Sequence, residues 1–346
     1  MVCTHNDGSY WNKLIALGIT PHDLVLRKLS LSTLFKLLNI LRKEKPDLIH
    51  THGKGPGLYG RLLGWMLGIP VVHTFHGFQH KLLPVVQRWF YLFVENVLTL
   101  LTRHHIFVGN GEKNKAKVLM FLNDSNSSVV NNGIDLDSIQ ALPPAEEVLA
   151  SLKLGPRESI KIFGTLSRVS PEKGLNILLE GFVEAAKRAP YIRLLVIGDC
   201  PGEHEKYIKM ITQYIHENGL DDAVKILGAR EDALEILKSI DFYISPSRSE
   251  GLPYNLLEAL AVGKPVMATD IAGNNDIIRK SVEGILVPVN SARTLAHGIL
   301  TLLELGPEEQ KAMRQNGKVR IRDEFSLNLM SEKTFSIYKK VLEGVI

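Results

Sequence analysis

Cysteine is nearly absent. Cys3 and Cys200 are the two in the chain, far apart and in no Cys-x-x-Cys pair, so neither a disulfide framework nor a cysteine-built zinc site is expected. A reducing, cytoplasmic setting fits that scarcity. Long apolar runs are missing too. The most apolar stretch, residues 82–101, is broken by Gln87, Arg88, Glu95 and Asn96, so no clean membrane span is read there. The opening MVCTHNDGSYW has no basic segment followed by an apolar one, and no signal peptide is read in it. Charge of one sign is in small excess: 41 Lys and Arg against 37 Asp and Glu give +4. That is far from the dense basic stripe of a nucleic-acid binder, so no nucleic acid is expected as a partner. It suits an anionic small ligand or an anionic membrane face.

Length and alternation are what the chain does have. The 346 residues are too many for one ordinary core and comfortable for two domains. Short apolar runs alternate with helical patterns. DLIHTH (47–52), a small-residue helix over 57–67 and VVHTFH (71–76) read as strand, helix, strand, a unit that implies a parallel sheet. A helix over about 82–103 and the strand HIFVGN (105–110) come next. NNGIDLDSIQALPPAEEV (131–148) is rich in Asn, Gly, Asp and Pro and reads as a linker. The pattern then restarts, with strands expected at 161–166, 193–198, 224–228, 242–247, 266–270 and 285–288. This is a second α/β domain, doubly wound by the usual logic.

Three local patterns invite a function and are better explained without one. Gly55, Gly57 and Gly60 spell the dinucleotide fingerprint between a strand and a helix. The fingerprint also wants an acidic residue at the end of the next strand, and here that strand ends in His76-Gly77-Phe78. Close helix–sheet packing through small residues is the preferred reading. Asp135-Leu136-Asp137 resembles a metal-holding Asp-x-Asp pair, but it sits in a turn-rich linker where Asp serves turns. His50, His52, His73 and His76 fall at two strand ends without a supporting carboxylate. They are read as hydrogen-bonding rather than metal-binding groups, and no metal is expected.

Two stretches of the second half carry chemistry. GTLSRVSPEKG (164–174) runs from a strand through a loop into a helix, with Ser170 as a natural N-cap and Pro171 in the first turn. Arg168 and Lys173 flank that start, and cations beside a helix N-terminus suit a diphosphate. SPSRSEGLPYNLLEALAVGKPVMATDIAGNNDII (245–278) places Glu250 before a Gly-Leu-Pro turn and Glu258 in the helix beyond it. Amides of Gly251, Leu252 and Tyr254 would point out of the helix start, whereas Pro253 has none. Two carboxylates flanking an anion-binding turn could hold a ribose diol and a sugar diol. The ordinary alternative is a pair of solvated cations and helix-start acids.

Together these stretches resemble the donor-site motifs of the GT-B glycosyltransferases, specifically the retaining family often called GT4, with its Glu, seven residues, Glu pattern at Glu250 and Glu258. KPVMATDIAGNNDII, GILVP and NNGIDL also resemble that family. The stretch 50–78 resembles the first domain of its capsule and lipopolysaccharide branch. The resemblance implies an α/β GT-B fold: two Rossmann-like domains with parallel sheets facing across a cleft. These would be 1–150 on the acceptor side and 151–325 binding the nucleotide sugar, with a helix over 326–346 returning to the first domain. It implies that Glu258 binds the nucleotide ribose and Glu250 the donor sugar. Arg168, Lys173 and the Gly251 and Leu252 amides would neutralise the diphosphate, and His76 would act at the donor sugar. Gly164, Tyr254 and Arg230, the last in the base-side loop, complete the donor-binding set.

The implied reaction moves a sugar with retention from a nucleotide-sugar donor, with a UDP-sugar as the expectation, to a saccharide or lipid-linked acceptor, without a metal cofactor. Same-face displacement is the expected route, because no nucleophilic carboxylate stands out. The family opens with a strand, a Gly-Gly loop and a helix, whereas MVCTHNDGSYWNKLIALGI resembles the family's sequence just beyond that unit. An N-terminal βα unit is therefore expected to be missing. A nucleotide-sugar epimerase and a truncated nucleotide-binding remnant stay open as alternatives. The helix from Lys81 to Arg103 mixes aromatics with Lys and Arg. A buried helix is the preferred reading, and a peripheral contact with the inner membrane face is the other.

Overall fold

The computed structural model describes residues 1–3, 10–26, 29–77 and 84–346. The described chain divides into two compact units: unit 1 is Met1–Val108, Glu112–Val130 and Glu332–Ile346, and unit 2 is Gly109–Gly111 and Asn131–Ser331.

Unit 1 carries two parallel sheets. The strand pair β1 (Val2–Cys3) and β2 (His22–Asp23) forms one, and β3 (Ile49–His52), β4 (Val71–Phe75), β5 (His104–Phe107) and β6 (Ser127–Val129) form the other in that order. Its helices are α1 (Tyr10–Ala16), α2 (Leu31–Glu44), α3 (Lys54–Leu67), α4 (Val85–Leu100) and α5 (Asn110–Leu119). Helix α2 starts because the Ser30 hydroxyl accepts from the Thr33 amide, and it ends at Lys45 in the left-handed region. Leu37 and Leu41 face inward against Leu24, Leu26, Tyr59 and Leu63.

Helix α3 begins at Lys54, three residues before the expected start, so Gly55 and Gly57 lie in its first turn rather than in a phosphate loop. A Cβ on Gly57 would come 2.5 Å from the His73 ring, one on Gly60 2.3 Å from Thr51, and one on Gly64 2.2 Å from Val71. The glycines let α3 lie directly on β3 and β4, as packing requires. Helix α4 departs from the buried reading. Leu92, Glu95, Leu98 and Thr99 are buried, but Val86, Trp89, Phe90, Phe93, Val97 and Leu100 are exposed. Phe78 and the first residues of the expected helix, 82 and 83, lie outside the described residues. No described helix is long and apolar enough to cross a membrane.

Unit 2 has a six-stranded sheet. Its strands are β7 (Lys161–Leu166), β8 (Ile192–Ile197), β9 (Val224–Gly228), β10 (Phe242–Ser245), β11 (Val266–Thr269) and β12 (Gly284–Val287). They lie in the order β12-β11-β10-β7-β8-β9, and all pairs are parallel. Numbered within the unit, this is the doubly wound order 3-2-1-4-5-6, which reverses between β7 and β10. The helices of the unit are α6 (Leu136–Ala141), α7 (Glu146–Ser151), α8 (Leu175–Arg188), α9 (Glu205–Glu217), α10 (Ala233–Ser239), α11 (Tyr254–Ala261), α12 (Ala272–Ile277), α13 (Ala292–Glu304) and α14 (Pro307–Glu324); α15 (Leu327–Leu342) begins there. Phe163, Leu178, Leu179, Phe182, Ile244, Ile299 and Leu302 are core residues between sheet and helices. Residues 131–151, which include the expected linker, belong to this unit. The Ala145 amide donates to the Ser239 hydroxyl at 2.7 Å, and the Lys238 ammonium donates to the carbonyl of Gln140 at 2.8 Å.

Candidate functional site

In an open doubly wound sheet, ligands bind beyond the carboxyl ends of the strands where the order reverses. In unit 2 that position is flanked by the loops leaving β7 and β10, and these loops hold the stretches 164–174 and 245–278. The first loop does not enter its helix as the sequence suggests. Ser170 caps a single 3-10 turn, Pro171–Lys173, without a side-chain bond; Gly174 then takes a φ of 70° and α8 begins at Leu175. The reason is close approach. A Cβ on Gly174 would lie 2.2 Å from the Pro246 carbonyl oxygen, so only glycine lets this turn rest on the β10 loop.

That approach brings Lys173 to Glu250. The ammonium donates to Oε1 at 2.6 Å, and the two side chains are 16% and 10% exposed. The Ser247 hydroxyl donates to the same oxygen at 2.6 Å. Ser247 is itself fixed: its carbonyl accepts from Thr269, whose carbonyl accepts from the Asn274 amide at 2.9 Å. Arg248 ties the two loops together. Its guanidinium donates to the Pro171 carbonyl and to Asn176 Oδ1, and its amide donates to the Glu172 carbonyl at 2.8 Å. Sequence reasoning does not single out Ser247, Arg248, Thr269 or Asn274. Arg248 stands within SRSEG, but nothing in the sequence shows that it reaches back to residue 171.

Gly251 and Leu252 are buried just before α11, and their amides meet no acceptor among the described residues. Glu258 is half-buried in α11, and its carboxylate accepts no hydrogen bond from the described residues; burial pushes its pKa up. Both Glu258 and Glu250 push the pKa of the buried Tyr243 hydroxyl upward, after burial itself, so the two carboxylates share one neighbourhood. Arg168 is open to solvent, 3.8 Å from Glu172. A cationic turn, two free amides and two carboxylates therefore converge on the reversal point. Such a set can accept a diphosphate and hold vicinal hydroxyls.

Two family models match the sequence. The model described as glycosyl transferases group 1 matches residues 151–320, and that described as glycosyltransferase family 4 matches residues 2–138. The chain belongs to this glycosyltransferase family.

Relatives and solved structures agree with that assignment. The glycosyltransferase is 29% identical over 330 residues to an Escherichia coli UDP-Gal:α-D-GlcNAc-diphosphoundecaprenol α-1,3-galactosyltransferase, covering 90% of this chain and 77% of that protein. It is 23% identical to the lipopolysaccharide core mannosyltransferase LpsB of Rhizobium meliloti, covering 63% of this chain and 62% of that one. Its fold matches a Rickettsia africae glycosyltransferase at a TM-score of 0.84 and 22% identity, over 99% of this chain and 90% of that chain. It also matches Anabaena HepE, solved with UDP, at 0.83 and 20% identity, over 96% and 90%. The fold is GT-B, with parallel sheets of four and six strands besides the small pair.

Gly164, Arg230, Tyr254 and His76 complete the expected set. Gly164 lies inside β7, where a Cβ would come 2.6 Å from Ile240, so its smallness serves strand packing. Arg230 pairs with Asp232 at 2.7 Å, and Tyr254 opens α11 with its side chain exposed. Asp135 caps α6: it accepts from the Ser138 amide at 3.1 Å and the Ser138 hydroxyl at 2.6 Å, which supports the turn reading of the Asp-x-Asp pair. His76 belongs to unit 1. Its Nε2 lies 2.9 Å from His52 Nδ1, and the two rings stack. His50 bridges Tyr338 and Thr74, the latter at 2.7 Å. Burial, then the neighbouring imidazoles, lower the pKa of His50 to about 3; burial, then His52, lower that of His76 to about 4. Among the described residues, no group of three or more His, Cys, Asp or Glu is placed to hold a metal ion.

Proposed function

We propose that this glycosyltransferase takes its sugar from a nucleoside-diphosphate sugar bound at the reversal point of unit 2. The observation that carries the reading is the Lys173–Glu250 pair, set beside Glu258 and the open Gly251 and Leu252 amides. Lys173 and Arg168 take the diphosphate, Glu258 the ribose hydroxyls and Glu250 the hydroxyls of the sugar. UDP is the preferred nucleotide, supported by the UDP-galactose-dependent relative and by the UDP complexes of the fold neighbour. The acceptor is a lipid-linked saccharide, supported by the diphosphoundecaprenol acceptor in that relative's name.

Lys173 is already paired with Glu250. A diphosphate must draw the ammonium away from Glu250, and doing so frees the carboxylate to receive sugar hydroxyls. One ion pair thus couples the two halves of donor recognition. The step itself forms a bond from the acceptor oxygen to the anomeric carbon and breaks the bond from that carbon to the β-phosphate oxygen. The acceptor proton passes to the departing phosphate on the same face. Preorganised cations and amides stabilise the charge that develops there. His76 is proposed, from the family resemblance, to act at the transferred sugar.

The test is a transfer assay with UDP-, GDP- and ADP-sugars and NMR of the product anomer. Retention from a UDP-sugar is expected, with turnover reduced about 100-fold or more in Lys173→Ala. Inversion, or an epimerised donor without transfer, would refute the reading.

A further inference from the structure

The turn that carries Lys173 is weakly built. Pro171–Lys173 is a single 3-10 turn with no side-chain cap, and Gly174 follows it at a φ of 70°. Its own bonds run from the Lys173 amide to the Ser170 carbonyl at 3.0 Å and from the Gly174 amide to the Pro171 carbonyl at 3.2 Å. So short a 3-10 segment holds little shape by itself. Arg248, in the loop leaving β10, holds it from outside. Its guanidinium donates through Nη1 to the Pro171 carbonyl at 2.6 Å, and its amide donates to the Glu172 carbonyl at 2.8 Å. The carbonyls of both residues before Lys173 are thereby tied to one arginine.

That guanidinium is itself fixed. Nη2 donates to Asn176 Oδ1 at 3.1 Å, and Nε donates to Asn290 Oδ1 at 2.7 Å. Asn176 lies in the first turn of α8; its amide donates to the Tyr207 hydroxyl of α9 at 3.1 Å, and the same hydroxyl lies 3.1 Å from its Oδ1. Asn290 lies between β12 and α13 at a φ of 58°, a conformation asparagine tolerates better than most residues. Arg248 therefore fastens the turn to α8, to α9 through Tyr207, and to the β12–α13 connection. Its three nitrogens serve three neutral acceptors, and among the described residues no carboxylate pairs with it. Only a planar fork reaches acceptors in three directions, so a lysine would not replace it. We propose that Arg248 is a positioning residue for the donor: by holding the Pro171 and Glu172 carbonyls it sets where the Lys173 ammonium meets the diphosphate. The proposal rests on the donor reading above. Misplacing a reacting or charge-stabilising group by about 1 Å costs up to about 100-fold, so the place of the turn governs what Lys173 can do.

The test is a double-mutant cycle on the full chain, read by calorimetric titration of UDP into the wild type, Arg248→Met, Lys173→Ala and the double variant. Arg248→Met should weaken UDP binding about tenfold. In the Lys173→Ala background the same change should cost less than about twofold, because the turn then has no ammonium to place. A merely structural role would give the same loss in both backgrounds. Arg248→Lys keeps the charge without the fork, and should bind UDP as weakly as Arg248→Met to within about twofold; where Arg248→Met does not fold, Arg248→Lys takes its place in the cycle. Hydrogen exchange without UDP should be faster across residues 170–176 of the variant and unchanged in the strands of unit 2. Wild type that binds no UDP overturns the donor reading and this proposal with it. Where the wild type binds, three results overturn the proposal alone: an Arg248 variant with wild-type affinity, an equal loss with and without Lys173, or exchange at 170–176 that does not change.

Discussion

At the scale of single residues, Glu258, the proposed ribose-binding group, is held at a cost to the fold. Its carboxylate is half-buried without a partner among the described residues, and burial raises its pKa. The folded protein disfavours the ionised form, so stability is kept below the ordinary carboxylate range and lost as pH rises through the raised value. Glu258→Gln should therefore melt roughly 2–4 °C higher at pH 8, with the gain shrinking as pH falls toward 4. The same change should weaken UDP binding about tenfold, because a charge-assisted acceptor for the ribose is gone. Melting curves across pH, with UDP titrations alongside, check both halves. Equal melting of the two proteins at pH 8 would show that the buried charge costs nothing.

At the scale of elements, glycines decide how closely helix and strand approach. Gly174→Ala would place a Cβ 2.2 Å from the Pro246 carbonyl at a φ of 70°. The 3-10 turn must then lift, carrying Lys173 off Glu250. A loss of about 1–3 kcal/mol in stability and a larger proportional loss of turnover are expected, read by urea denaturation and by the transfer assay. Gly60→Val should cost unit 1 a comparable amount through its contact with Thr51, while leaving UDP binding at unit 2 unchanged.

Most of these elements are legible in the sequence. The β-branched runs within 161–288 mark the strands of unit 2, because each is apolar and bounded by turn residues. Strand β6 is not legible: Ser127–Val129 is three residues long and mostly polar. The start of α3 is hidden as well, since Gly and Pro ordinarily punctuate loops, yet Pro56 is tolerated in a first turn whose amide needs no partner. Site residues carrying charge in a spaced pattern, Lys173, Glu250 and Glu258, are readable. The hydrogen bonds that tie the β7 loop to the β10 loop, from Lys173 to Glu250 and from Arg248 to Pro171 and Asn176, join positions 70 or more residues apart and leave no local trace.

At the scale of the molecule, the two units should respond differently to acid. Unit 1 holds imidazoles whose pKa values are kept low, chiefly by burial: about 3 for His50 and His105, about 4 for His104. A depressed histidine contributes stability above its ordinary value, and that contribution is lost as protons are forced on. Unit 1 should therefore weaken as pH falls from 6.5 toward 4. Hydrogen exchange followed by mass spectrometry at pH 7 and 5, corrected for the intrinsic rate, should show protection lost across β3, β4 and β5 before the unit 2 sheet. Uniform loss would contradict this.

The proposed donor reading turns on Lys173 and Glu250 acting as one device that admits a nucleoside diphosphate by exchanging partners. Calorimetric titration of UDP into the wild type, Lys173→Ala and Glu250→Gln tests it most directly. Removing the ammonium should weaken UDP binding. Removing the carboxylate charge should tighten it, roughly fivefold, because Lys173 no longer has to be drawn away, even though sugar transfer is lost. UDP affinity that is unchanged or weaker in Glu250→Gln, or unaffected in Lys173→Ala, would contradict the exchange of partners.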